Sequence, residues 1–206
     1  PQEKGFFNLG THLPWIGDRT RQLQHAHIEL FRGIQNPIGL KLGPSIEPLE
    51  LLELTFRLNP QNEPGKIVLM TRLGAKHIDQ HLPPLIDILQ KHRRRVCWSC
   101  DPMHGNTIRV PEGFKVRKFS SILKEIKQCF LIHSGMNSLL GGIHLEISEE
   151  NVTECLGGPE NLGHQDLKKN YKTLCDPRLN PSQSLYIAQF VSRLLKKESS
   201  LSICNL

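Results

Sequence analysis

The sequence predicts an α/β fold with a parallel sheet, about five βα units of a (β/α)8 TIM barrel. Three observations carry this. Short apolar runs alternate with helix-like segments along the 206 residues. The second, third and fourth runs start about 28 residues apart, the length of one strand–helix unit. Polar residues stand in or just after the C-terminal part of each run: Asp18 and Arg19, Lys41, Arg72, Asp101 and His104, then Glu146. A barrel gathers its site at that rim from many strands, whereas the rival, a doubly wound open sheet, gathers it only near a switch point. A complete barrel takes about 250 residues, so five units make five-eighths of one.

The elements follow in order. A strand at 12–17 leads into a helix at 22–34. The run at 38–43 is aliphatic except for Lys41, whose ammonium is costly to bury unpaired. The helix at 48–58 carries Leu49, Leu51, Leu52, Leu54 and Phe56 on more than one face, which predicts packing on two sides. A strand at 66–71 precedes a helix at 78–92, and His92-Arg-Arg-Arg95 reads as a helix tail whose cations suit the dipole. The strand at 95–100 contains Cys97-Trp-Ser-Cys100; redox pairs of that pattern sit at a helix start, so this pair reads as structural. A helix at 120–133 precedes a strand at 142–147, on which His144 and Glu146 face the same way. The last helix, 181–197, has Pro181 in its first turn and a stripe of Leu185, Ala188, Val191 and Leu195. The expected organisation is one barrel domain over 1–198 and a frayed tail over 199–206.

Composition narrows the class. With 38% hydrophobic and 22% charged residues the chain is globular, and no apolar run reaches the roughly 18 residues of a membrane span. The N-terminus has no signal-peptide pattern, and a start at Pro1 suggests a processed chain or a fragment. The net charge of +6 suits small anionic substrates; the basic run has no interleaved aromatics, which argues against nucleic acid. Cys97, Cys100, Cys129, Cys155, Cys175 and Cys204 read as reduced thiols of a cytoplasmic protein.

Two groups of residues carry candidate chemistry. Arg19, Lys41 and Arg72 follow successive strands, where converging cations suit phosphate or carboxylate groups; singly, each reads as surface charge. His104, Glu146 and Asp176 would make a mixed nitrogen and oxygen site suited to Mn, Co, Fe or Zn, with room for a substrate oxygen. A loop-capping His104 is the plainer alternative.

Seven segments resemble class II DAHP (3-deoxy-D-arabino-heptulosonate 7-phosphate) synthases. They are Trp15-Ile-Gly-Asp-Arg-Thr-Arg-Gln22, Asn36-Pro-Ile-Gly-Leu-Lys-Leu-Gly-Pro44, Thr71-Arg-Leu-Gly74, Trp98-Ser-Cys-Asp-Pro-Met-His-Gly-Asn-Thr107, Gly141-Gly-Ile-His-Leu-Glu146, Asn151-Val-Thr-Glu-Cys-Leu-Gly-Gly158 and Cys175-Asp-Pro-Arg-Leu-Asn180. The resemblance implies the C-terminal portion of a (β/α)8 barrel and a divalent metal, usually manganese or cobalt. It assigns metal ligation to His104, Glu146 and Asp176, a fourth ligand, a Cys, lying upstream. It assigns phosphoenolpyruvate binding to Asp18, Arg19, Lys41 and Arg72, and catalysis to Lys41 and His104. The implied reaction condenses phosphoenolpyruvate with erythrose 4-phosphate, at the entry to the shikimate pathway, in a homo-oligomeric cytoplasmic enzyme.

The resemblance has departures. Asp18 stands where the family has Glu: the change is harmless if that position acts through its backbone amide, whereas a carboxylate that orients a neighbour would be misplaced by its shorter arm. Gln24-His25 replaces Asp-Gly, and Asn137-Ser-Leu-Leu140 replaces a Thr/Ser-His-Pro stretch. Some three barrel strands, one metal ligand and an Arg are expected upstream of this segment, so the isolated chain is expected to be unstable and inactive. The competing reading is a non-catalytic remnant or partner chain.

Overall fold

The computed structural model describes residues 5–203, with side chains to 196. In chain order the strands are β1 Trp15–Ile16, β2 Ile38–Leu42, β3 Ile67–Thr71, β4 Cys97–Cys100, β5 Thr107–Arg109, β6 Lys115–Lys118, β7 Leu140–Ile143 and β8 Cys155–Leu156. The helices are α1 Ala26–Arg32, α2 Pro48–Leu58, α3 Ile78–Lys91, α4 Phe119–Gly135 and α5 Pro181–Ile203.

β1, β2, β3, β4 and β7 form one parallel sheet in that order. Each strand therefore pairs with the next one of the sheet along the chain, and the strand order never reverses. That is not the order of a doubly wound sheet. β2 and β3 pair through Leu40 and Leu69, and β3 and β4 through Leu69 and Trp98. Every residue of β2 is buried, which is why these strands read as unbroken apolar runs rather than alternating ones. The main core lies between this sheet and α1 to α3, and a second cluster joins α4 to Ile187 of α5.

Several boundaries differ from the sequence reading. β1 is only two residues long, starting just after Pro14, which has no N–H for a ladder, and ending before the turn at Gly17. α1 is shorter than 22–34, because residues 22–25 form a turn closed by His25 N–H to the Gln22 carbonyl. β7 ends at Ile143, so His144 and Glu146 lie on the loop beyond it; the pairing with β4 shifts register between Trp98 and Ser99. α2 packs on one face, with Leu49 68% and Phe56 47% exposed. α5 buries Gln183 and Ile187, while Leu185, Ala188 and Leu195 of the expected stripe are exposed. α5 also continues as helix through Ile203, so the expected tail is helical that far; residues 204–206, with Cys204, lie outside the described residues.

The basic run closes the end of α3, with His92 N–H donating to the Ile88 carbonyl and Arg94 N–H to that of Leu89, and it also serves the end of a neighbouring helix. Arg94 Nη2 donates to the carbonyls of Thr55 (2.8 Å) and Asn59 (2.6 Å) at the end of α2, and its guanidinium lies over Phe56. Two sheet edges stay open: among the described residues, no strand pairs with the outer side of β1 or β7. An apolar groove beside β7 is lined by Leu140, Ile143, Leu145, Ala188 and Val191. Cys97, Cys100, Cys129, Cys155 and Cys175 are all free thiols. No helix among the described residues is long and apolar enough to cross a membrane.

A second sheet was not legible in the sequence. β5 and β6 form an antiparallel hairpin, and β8 pairs parallel with β6. Val110, Val116, Leu156 and Leu167 form its small core. By strand alternation Lys115 and Arg117 face away from Val116.

Candidate active site

Most of the polar residues at the ends of the parallel strands form one bonded network. At its centre is Asp101, directly after β4 and 0% exposed. Its Oδ1 accepts the backbone N–H groups of Met103 (3.1 Å) and His104 (3.2 Å), which folds the loop back on itself. Its Oδ2 lies 2.5 Å from Lys41 Nζ and 2.8 Å from His104 Nδ1. The buried ammonium that looked costly in the sequence is therefore paired. Burial pushes the Asp101 carboxyl up, but His104 and Lys41 outweigh it and hold it well below the usual range. Lys41 also lies 5.5 Å from the centre of the Trp15 ring.

His104 turns its other nitrogen to two carboxylates. Nε2 is 3.1 Å from Glu146 Oε1 and 4.0 Å from Asp176 Oδ2. Asp101 first, then Glu146, raise the imidazole pKa to about 9. Burial raises the pKa of Glu146, yet His104 and Arg117 bring it down to about 2. One nitrogen and two carboxylate oxygens thus converge, all within 4.8 Å of one another. This donor set fits a divalent transition ion. His144 stands beside the site, its ring 6.4 Å from that of His104; burial, then Lys41, lowers its pKa.

Arg72 sits one residue past β3. Its Nη1 donates to Asp18 Oδ2 at 2.9 Å and its Nη2 to the His104 carbonyl at 3.2 Å. Asp18 also accepts from Gly43 N–H (2.8 Å) and Arg21 Nε (3.1 Å). So the carboxylate at position 18 does orient a neighbour, and the shorter arm still reaches. The room comes from Gly43, where an added Cβ would lie 2.3 Å from Asp18 Oδ2. Arg19 is not drawn in: it is exposed, and among the described residues its guanidinium has no hydrogen-bond or ion-pair partner. Arg21, two residues further on, is the buried one, bonded to Asp18, Ser45 and Glu50.

The sequence reading also missed Glu125, whose signal was a carboxylate on the buried stripe of Ile122, Ile126 and Cys129. Its Oε1 accepts from Leu73 N (3.1 Å) and Gly74 N (2.8 Å), and its Oε2 from Asn106 Nδ2 (2.6 Å). It therefore ties α4 to both the Arg72 loop and the His104 loop. Those loops touch at Gly74 and Gly105, where a Cβ on Gly105 would lie 2.4 Å from Gly74 N. Asn106 cannot flip to suit a changed partner, because its Oδ1 accepts from Ala75 N (3.1 Å) and its Nδ2 donates to Pro102 O (2.8 Å). Glu125→Gln must aim an amide N–H2 at a donor, at a cost of about 1–3 kcal/mol. Burial, against the pull of its donors, raises the Glu125 pKa from 4.5 to about 8. Between those values the folded protein keeps a proton that the unfolded chain releases. The contribution of Glu125 to stability therefore falls as pH rises from about 4.5 to about 8. In denaturant melts, the margin of wild type over Glu125→Gln should be larger at pH 5 than at pH 8. A margin independent of pH would refute this.

The chain matches the family model described as the class-II DAHP synthetase family over residues 1–192. It is 49% identical over 200 residues to a phospho-2-dehydro-3-deoxyheptonate aldolase of Neurospora crassa, covering 96% of this chain and 42% of that protein. The enzyme of that name, AroG, from Mycolicibacterium smegmatis is 46% identical over 190 residues, covering 92% of this chain and 41% of its own length. A Streptomyces coelicolor relative is 44% identical over 192 residues, 93% of this chain and 43% of its own. This chain thus spans less than half the length of these relatives. Among solved structures, a phospho-2-dehydro-3-deoxyheptonate aldolase from Francisella tularensis SCHU S4 superposes with a TM-score of 0.58 at 16% identity, covering 90% of this chain and 55% of that one. At that identity the likeness speaks for the fold alone.

Proposed function

The chain belongs to the class-II DAHP synthetase family, and from that premise we propose that it carries the metal site and much of the phosphoenolpyruvate site of a phospho-2-dehydro-3-deoxyheptonate aldolase. The complete protein would form a carbon–carbon bond between the methylene carbon of phosphoenolpyruvate and the aldehyde carbon of erythrose 4-phosphate. Water adds at the former enolic carbon, and phosphate leaves by C–O cleavage. The reading rests chiefly on one observation. Lys41, Arg72, His104 and Glu146 are joined by hydrogen bonds and ion pairs beyond the C-terminal ends of adjacent parallel strands, and Asp176, from the loop before α5, comes within 4.0 Å of His104.

The residues divide the work by their chemistry. Arg72, already aimed by Asp18 and the His104 carbonyl, has N–H groups left for the carboxylate or phosphate of phosphoenolpyruvate. Arg19, exposed nearby on the chain, is the candidate for a further anionic group. Lys41, only 6% exposed and tied to Asp101, is our candidate for proton transfer at the enol phosphate. His104, Glu146 and Asp176 would hold the metal, manganese or cobalt by preference and iron or zinc as alternatives, with Asp101 fixing which imidazole nitrogen faces it. A bound divalent ion would supply Lewis-acid polarisation of the aldehyde oxygen.

The sheet is read as five consecutive strands of an eight-stranded barrel. Its strand order does not reverse, and its open edges at β1 and β7 call for about three strands from elsewhere in the complete protein. The exposed apolar groove beside β7 fits burial against that part or in a homo-oligomer. Free thiols fit a cytoplasmic setting.

In the complete protein, phosphate release should require both substrates, cease on removal of divalent metal by a chelator, and return with added Mn2+. Turnover that survives chelation would contradict the proposal, and absence of turnover with any divalent ion would favour a non-catalytic partner.

A further inference from the structure

The second sheet raises the question of what β6 does at the site. Lys115 and Arg117 are two residues apart on β6 and share one face of the strand. Each engages one of the two carboxylates next to His104. Arg117 Nη1 lies 2.5 Å from Glu146 Oε2, and Lys115 Nζ lies 3.3 Å from Asp176 Oδ1. In both cases the other oxygen is the one turned to His104 Nε2: Oε1 of Glu146 and Oδ2 of Asp176. The same two cations hold the backbone beside Asp176. Arg117 donates to the Pro177 carbonyl, and Lys115 Nζ donates to the Cys175 carbonyl at 3.1 Å.

Arg117 is poorly explained as packing. It is 0% exposed, and its Nη2 is buried without a hydrogen-bond partner among the described residues. Its third anchor, Nε to Thr107 Oγ1 at 3.0 Å, ties it across the β5–β6 hairpin. A buried guanidinium with an unsatisfied nitrogen costs stability, whereas its fixed fork sets geometry. The strand itself is held in place by Val116 in the small core and by the Tyr171 hydroxyl, which donates to the Lys115 carbonyl at 2.9 Å.

We propose that Lys115 and Arg117 are positioning residues of the metal centre: β6 pins the far oxygen of each carboxylate, so that Glu146 and Asp176 each present a single oxygen to a divalent cation. The inference rests on the proposed metal site and deepens it. Without the pins, either carboxylate can rotate and offer both oxygens, which raises the coordination number and changes the ion's surroundings without removing a ligand.

The test uses the complete protein and Co2+ alone, read by visible absorption and by titration, with folding followed by circular dichroism. Arg117→Lys keeps the charge and loses the fork, so an effect there reports geometry. It should weaken Co2+ binding about 10- to 100-fold, the usual range for residues that orient metal ligands. Lys115→Met, at the partly exposed end of the strand, should leave the fold intact and carries the test alone if Arg117→Lys does not fold. Both variants should show weaker Co2+ bands at saturation, as higher coordination gives. His104→Ala is the control and should abolish binding at this site. If His104→Ala loses Co2+ while folded Lys115→Met and Arg117→Lys keep wild-type spectrum and affinity, the positioning role is overturned and the metal site stands. If His104→Ala binds Co2+ like wild type, the metal site falls and the inference falls with it.

Discussion

His104→Ala in the complete protein is expected to lower metal-dependent turnover at least about 100-fold, since a lost Lewis acid forfeits several kcal/mol of transition-state stabilisation. The effect should be chemical rather than structural. His104 is a partly exposed loop residue, and Asp101 keeps Lys41 and the Met103 N–H as partners after its removal. The variant should therefore still melt cooperatively, at a lower temperature because its ion pairs with Asp101 and Glu146 are lost, while turnover collapses. Steady-state rates with saturating Mn2+, beside a thermal melt, decide the matter, and unchanged turnover would remove His104 from the metal site.

Asp101→Leu is expected to damage both stability and turnover. It leaves the Lys41 ammonium buried without a partner and removes the acceptor for His104 Nδ1 and two loop amides. Breaking one side of a buried ion pair costs about 3–5 kcal/mol. The double variant Lys41→Met/Asp101→Leu should regain part of that stability, because the stranded charge is gone, yet remain inactive. Denaturant melts of the single and double variants separate the two effects. A double variant no more stable than Asp101→Leu would mean that the ion pair is not what holds this region.

How much of this was legible in the sequence follows from how each part is buried. β2 and β3 are covered on both faces, so they stood out as aliphatic runs, and α2 and α3 were bounded correctly to within a residue. Lys41 was conspicuous because it interrupts such a run. The hairpin of β5 and β6 was not, since Thr-Ile-Arg and Lys-Val-Arg-Lys are short and polar and reveal only a period-two pattern of cations. The partners of those cations lie some 29 and 61 residues further along the chain, a distance that no local pattern bridges. Asp101 was noticed as a polar residue after a strand, but its pairing with Lys41 spans 60 residues. Arg19 and Arg21 show the reverse failure. Both follow β1, and only the three-dimensional turn decides which is buried against Asp18.

The central claim is that His104, Glu146 and Asp176 hold one divalent metal ion. The most direct measurement is anomalous diffraction from a crystal of the complete protein soaked in Mn2+. The expected result is a single strong peak between His104 Nε2, Glu146 Oε1 and Asp176 Oδ2, about 2.0–2.3 Å from each, the usual length of bonds from such ligands. A fully occupied peak elsewhere, with these three side chains still bonded to one another as here, would contradict it.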